Sequence, residues 1–238
     1  MRDLQKILLL DWYQQENITL SFKKEPTDKK KQNKVIPHSQ EIEDLTSLSN
    51  IIQYINEKPL SGLKKYSNHS LIFEGNSNPD FLVVNDFTNS MEENSKTNIL
   101  CTDERELLEK MLSAIDINLN DNSIINVFFW RTPGNRNPTK DEIEDCMPAV
   151  KKLIEILAPK YIITLGDLAL MSIMERNSNL MDSRGKKLNC TYSSISIFAL
   201  FHPRLLIKQP SLKRLAWEDL KFIKENINKN KKMEPTHE

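Results

Sequence analysis

No surplus of charge marks this chain. Its 238 residues carry 33 basic and 33 acidic side chains, so no global field points to a nucleic acid or a membrane surface, and any electrostatic footprint has to be local. Long apolar runs are missing too. The run nearest the N-terminus, residues 7–10, is four residues long with Asp3 and Asp11 close by, too short for a signal-peptide core or a membrane span. Cysteine is sparse: Cys101, Cys146 and Cys190 stand far apart without a Cys-x-x-Cys pair or zinc-ligand spacing, which argues against a disulfide framework or a structural zinc site. Reduced thiols fit a cytoplasmic protein. No internal repeat is visible.

What is present is a globular balance, with 39% hydrophobic and 28% charged residues, and enough chain to bury a full core. Residues 3–14 place Leu4, Ile7, Leu8 and Trp12 at helical spacing. A lysine-rich run over 23–34 follows, read first as a solvated linker. Residues 41–56 form a better helix, with Ile42, Leu45, Leu48, Ile51, Ile52 and Ile55 on one face. These pieces make an N-terminal helical extension over 1–58, ahead of a main domain over 59–228 and a polar, disordered tail over 229–238.

Within the main domain, strands and helices alternate. Residues 70–73 are a short strand, and 81–84 (FLVV) are an apolar run suited to a doubly covered strand. Thr102 is read as the cap of a helix with Leu107, Leu108, Met111, Leu112 and Ile115 inward. A strand over 124–130 leads to Thr139 and Glu142, a capping box before the next helix. Residues 161–165 and 193–200 are further strands, with Asp167 and Ser211 read as caps of the helices after them. Such alternation implies a parallel sheet with right-handed crossovers. Ligands then belong at the carboxyl ends of the strands, at 85–93, 130–139, 166–167 and 201–206.

Those loops carry a resemblance. Residues 126–139 (NVFFWRTPGNRNPT), Cys146, Leu165-Gly166, His202-Pro203 with Leu205-Leu206, and residues 213–220 (KRLAWEDL) together resemble a family 4 uracil-DNA glycosylase, over about residues 60–228. Residues 10–13 with Glu25-Pro26 are similar to the N-terminal extension of the bacterial branch of that family. The resemblance implies a three-layer α/β sandwich around a central, mainly parallel four-stranded sheet. It also implies hydrolysis of the bond between uracil and deoxyribose in DNA during base-excision repair, by a monomeric protein that turns the base out of the stack.

Residue by residue, Asn126 matches the side chain that reads the uracil edge, and His202 the histidine that hydrogen-bonds the developing uracil anion. The first loop departs from the family signature Gly-Glu-Ala-Pro-Gly. Here it reads Asn85-Asp86-Phe87-Thr88-Asn89, with Asn, the residue that best tolerates positive φ, in place of both glycines. Asp86 keeps the acid but reaches about 1.5 Å less than Glu; a misplacement near 1 Å costs on the order of 10²-fold in rate. Glu92 and Glu93 are alternative acids.

Leu100 replaces the aromatic ring expected against the uracil face, with Phe87 or Phe128 as possible compensation. Of the four cysteines that hold an iron–sulfur cluster in many members, only Cys146 is matched, and Trp130 occupies another position. No cluster is expected.

From Ser183 to Trp217 there is no acidic residue, while Arg184, Lys186, Lys187, Arg204, Lys208, Lys213 and Arg214 are basic. With Arg131 and Arg136 on the neighbouring loop, they suit contacts to DNA phosphates. Arg204 stands where relatives carry a small Ser, placed either to reach a phosphate or to intrude on the pocket. Leu205 and Leu206 either wedge into the duplex or pack their loop onto the core. Two function classes remain open: a glycosylase, and a catalytically inactive relative that binds DNA or a repair protein. Activity on a different damaged base is a third, weaker idea.

Overall fold

In the computed structural model, the described residues are 39–233 apart from 59, 65–69, 89–97, 177 and 191–192. The helix expected over 3–14, the basic linker, and Glu92 and Glu93 lie outside them. The continuous apolar runs become the centre of one sheet, because a strand covered on both faces needs no polar alternation. Its strands are β1 (Phe73–Gly75), β2 (Phe81–Phe87), β3 (Ser123–Phe128), β4 (Tyr161–Leu165), β5 (Leu188–Asn189) and β6 (Ser196–Leu200), in the spatial order β1-β3-β2-β4-β6-β5. The four inner strands are parallel. β1 and β5 are short antiparallel edges.

The helices are α1 (Ser39–Glu43), α2 (Leu48–Glu57), α3 (Thr102–Ser113), α4 (Lys140–Leu157), α5 (Gly166–Met174), α6 (Leu180–Ser183), α7 (Pro203–Lys208) and α8 (Lys213–Met233). The chain steps from β2 to β3 in one direction and returns past β2 to β4 in the other. Right-handed crossovers therefore place α3 on one face and α4 and α5 on the opposite face. The return of α8 to pack on β6 and α3 completes the first layer, and α1 and α2 pack on α4 outside the second. Ile42, Ile51 and Ile55 thereby join the main hydrophobic core. The reversal between β2 and β4 is the switch point at which open α/β sheets bind ligands.

Of the four caps read in the sequence, one holds and three shift. Thr139 and Glu142 form both bonds of the capping box at the start of α4. The single helix expected over 41–56 is two, because Ser47 accepts the Asn50 N–H and starts α2 afresh. Thr102 is not the cap of α3; Cys101 holds that position without a side-chain bond. Asp167 lies inside α5 and accepts the Leu180 N–H at 2.6 Å, tying α5 to α6 instead of capping it. Ser211 sits in a 3₁₀ turn ahead of α8, and α8 continues to Met233, well into the segment expected to be disordered. The first strand begins at Phe73, three residues later than expected, and its ladder with β3 ends at the Gly75–Ser123 pair. β2 runs to Phe87, which puts Asn85 and Asp86 inside the strand.

One buried polar atom in the sheet has no hydrogen-bond partner among the described residues, the hydroxyl of Thr164 on β4. A buried unsatisfied hydroxyl costs about 1–3 kcal/mol. Thr164→Val replaces it with a methyl of similar shape and is expected to stabilise the fold by about 1 kcal/mol, read as a higher midpoint in urea. A lower midpoint would mean that the hydroxyl has a partner.

Candidate functional site

The switch point brings together the end of β2, the middle of β3 and the turn after β6. Gly166, at φ 79°, turns the chain after β4 in a left-handed conformation that favours glycine, next to the His202 side chain. His202 caps α7, its Nδ1 accepting the Arg204 N–H at 3.0 Å. A neutral imidazole that accepts at Nδ1 carries its proton on Nε2. That Nε2 stands 2.8 Å from Asn85 Oδ1 and 3.4 Å from the Asp86 carboxylate.

Asn85 faces Asn126 because the two are register partners on β2 and β3. Asn85 Nδ2 donates to Asn126 Oδ1 at 2.7 Å and to the Phe87 carbonyl at 3.3 Å. Asn126 Nδ2 donates to the Leu71 carbonyl and to Thr88 Oγ1, each at 2.9 Å, and the Thr88 hydroxyl donates to the Ile99 carbonyl at 2.9 Å. A carbonyl only accepts and a backbone N–H only donates, so these groups fix the direction of each bond between them. The result is one chain from Arg204 N–H through His202, Asn85 and Asn126 to the backbone beyond. Asn85 and Asn126 are completely buried and His202 is 5% exposed.

A charged cluster lies against it. Arg204 turns inward: Nε donates to Glu104 at 2.9 Å, Nη2 approaches the Phe87 carbonyl at 3.4 Å, and Nη1 lies 3.6 Å from Asp86. Its guanidinium also sits over the Phe87 ring, 5.5 Å from the centroid. Burial pushes the Asp86 carboxyl up, but the Arg204 charge, the neighbouring His202 Nε2–H and the bond from the Phe87 N–H outweigh it, holding the group below the usual carboxylate range. Asp86 is therefore ionised at neutral pH, suited to accept a proton or face a cation and unsuited to donate one.

Of the expected site residues, Asp86, Phe87, Asn126 and His202 come together. Leu100 is buried in the segment that Thr88 reaches through Ile99. Of the two placements read for Arg204, it takes the inward one. Arg136 is held by Glu142 through two bonds of 2.6 and 2.8 Å, an arrangement that leaves less of it for a phosphate. Arg131, Lys208, Lys213 and Arg214 are exposed, Arg214 lying 3.8 Å from Glu218, and Arg184 is paired with the buried Asp219 at 3.0 Å. Leu205 and Leu206 are 3% and 1% exposed and pack inward; the exposed apolar side chain of α7 is Ile207, at 41%. A wedge has to begin at the surface, which Leu205 and Leu206 do not reach.

The residue that sequence reasoning passed over is Asn85. It was read as a turn former, yet it is not among the positive-φ residues and lies in regular strand. Its signal is the repeated pattern Val83-Val84-Asn85 and Ile124-Ile125-Asn126, an Asn after two β-branched residues on each of two neighbouring strands. Glu104 lies in the first turn of α3, and its bond to Arg204 depends on a partner 100 residues away, which no local pattern signals.

The described residues contain no group of three or more His, Cys, Asp or Glu able to hold a metal ion. Cys146 is fully buried, and burial pushes its thiol well above the ordinary range, against the thiolate that a metal needs. No helix among the described residues is long and apolar enough to cross a membrane.

Fold and site together define an α/β protein with a buried polar cluster at the switch point of a parallel sheet. The model of the uracil DNA glycosylase superfamily matches residues 63–221. A type-4 uracil-DNA glycosylase of Pyrobaculum aerophilum is 27% identical over 183 residues, 74% of this chain and 91% of the relative. The same-named enzyme of Saccharolobus solfataricus is 25% identical over 172 residues, 70% of this chain and 80% of the relative. One from Sulfurisphaera tokodaii is 36% identical over 108 residues, 43% and 49% of the two chains. The chain belongs to the uracil DNA glycosylase superfamily.

Proposed function

We propose that this protein hydrolyses the N-glycosidic bond of uracil in DNA, acting as a monomer in the cytoplasm on a base turned out of the stack. The observation that carries the reading is the convergence of a protonated His202 Nε2 and the Asn126 Oδ1 at one buried point beside an ionised carboxylate. Uracil offers a carbonyl oxygen and an imide N–H side by side, which a donor and an acceptor so placed can read. In the reaction the C1′–N1 bond breaks and its electron pair leaves on uracil. A water oxygen bonds to C1′ and passes its proton to Asp86, while His202 donates to the uracil anion. Phosphate contacts fall to Arg131, Lys208, Lys213 and Arg214. Three cysteines are one short of a four-thiolate cluster, and the proposed chemistry needs none.

Incubation with uracil-containing single- and double-stranded DNA, followed by alkaline cleavage of abasic sites, tests the reading. Strand breaks at uracil are expected, and His202→Ala should lower the single-turnover rate about 10²- to 10³-fold, the usual range for a lost anion donor. The second reading, a relative that binds DNA without cleaving it, is favoured by one observation: Asn126 already spends both amide hydrogens and its oxygen on protein partners. Salt-dependent DNA binding without any base release would select it.

A further inference from the structure

We infer that Asn85 is a built-in occupant of the base-reading site, and that its carboxamide sets whether, and how fast, a uracil can enter. The inference rests on the proposed reading of that site. A carboxamide and the uracil C2–N3 edge share one pattern, a carbonyl oxygen and an N–H on the same carbon. Asn85 presents that pattern to the two groups proposed to read it. Its oxygen takes the His202 Nε2 hydrogen at 2.8 Å and its nitrogen donates to Asn126 Oδ1 at 2.7 Å.

Three further facts make this occupancy firm. Asn85 is completely buried, so no water competes for its bonds. A third bond, to the Phe87 carbonyl at 3.3 Å, fixes which end of the amide is nitrogen. The register of β2 and β3 sets its Cα opposite that of Asn126, so the side chain reaches its partners from regular strand without backbone strain. An entering base must break two bonds to His202 and Asn126 and then move or strand the Asn85 amide. A smaller residue at this position removes the competitor without touching either reader.

Asn85→Gly and Asn85→Ala in the full chain test this, the Ala variant guarding against a strand weakened by Gly. Two readouts are needed: single-turnover release of uracil from a single-stranded oligonucleotide, and binding of free uracil followed by ligand-observed NMR. Both variants are expected to bind uracil more tightly than the parent, and to release it at least tenfold faster, with the gain abolished by adding His202→Ala. Tighter uracil binding without release in any variant would uphold the occupancy and end the hydrolase reading. Unchanged or weaker uracil binding in both folded variants would overturn the occupancy. Rapid release by the parent with slower release by both variants would do the same, while leaving the hydrolase reading intact.

Discussion

Arg204→Ala is expected to cost about 3–5 kcal/mol of folding stability, the usual penalty for removing one partner of a buried ion pair. The reason lies in what stays behind. Arg204 is the cation that Asp86 and Glu104 share, with separations of 3.6 and 2.9 Å, and the side chains of all three are largely buried. Without it two carboxylates face each other in a poorly hydrated space. Arg204→Lys should recover only part of the loss, since a single ammonium cannot span two carboxylates, a carbonyl and a ring as the planar guanidinium does. Urea unfolding of the three proteins measures this; an alanine variant within 1 kcal/mol of the parent would show the cluster to be solvated.

The same cluster sets an acid limit. The folded Asp86 carboxyl lies below its ordinary value, so its contribution is complete above about pH 4, the unfolded value, and is lost as pH falls through the folded value. Stability should therefore decline below about pH 4, and Asp86→Asn should remove that part of the slope.

Gly75→Ala is expected to be nearly as damaging, for a steric reason. Gly75 ends β1 at φ 113°, and a Cβ there would collide with the Asn122 carbonyl oxygen and lie 2.9 Å from the Ser123 Cα. Both obstacles are backbone, so no rotamer change relieves them. The conformation costs an L-residue about 1–3 kcal/mol, and the forced displacement about 1–3 kcal/mol more. The displacement would also travel. Asn122 Oδ1 accepts the Phe81 N–H at 2.8 Å where β2 begins, and its Nδ2 donates to the Asn118 carbonyl at 2.8 Å. A thermal midpoint equal to that of the parent would refute the argument.

How much of this was legible before the structure depends on the range of the interaction. The apolar runs that became β2, β3 and β4 and the Thr139–Glu142 box are local signals, and each lies on the element read for it, with β2 three residues longer and β3 two residues shorter at its end. Asn126 and His202 were singled out from their own loops and do meet in one cluster. Asn85 and Arg204 were misjudged or left open because their roles depend on neighbours 41 and 100 residues away along the chain. β5 has only two residues and pairs only because β6 supplies the ladder. Leu205 and Leu206 showed the right hydrophobicity, but one-dimensional pattern cannot say which side of a short helix meets the core; Ile207 is the one that does not.

The two margins of the sheet have a colloidal consequence. An open row of unpaired amides and carbonyls is a template on which another molecule can add a strand. Among the described residues both rows are short, since the outermost strands are three and two residues long and run against their neighbours. A foreign strand would find few bonds on either side. The parallel interior, whose long apolar runs would aggregate if bared, is thus kept from growing sideways by two fragments too small to attract attention in the sequence.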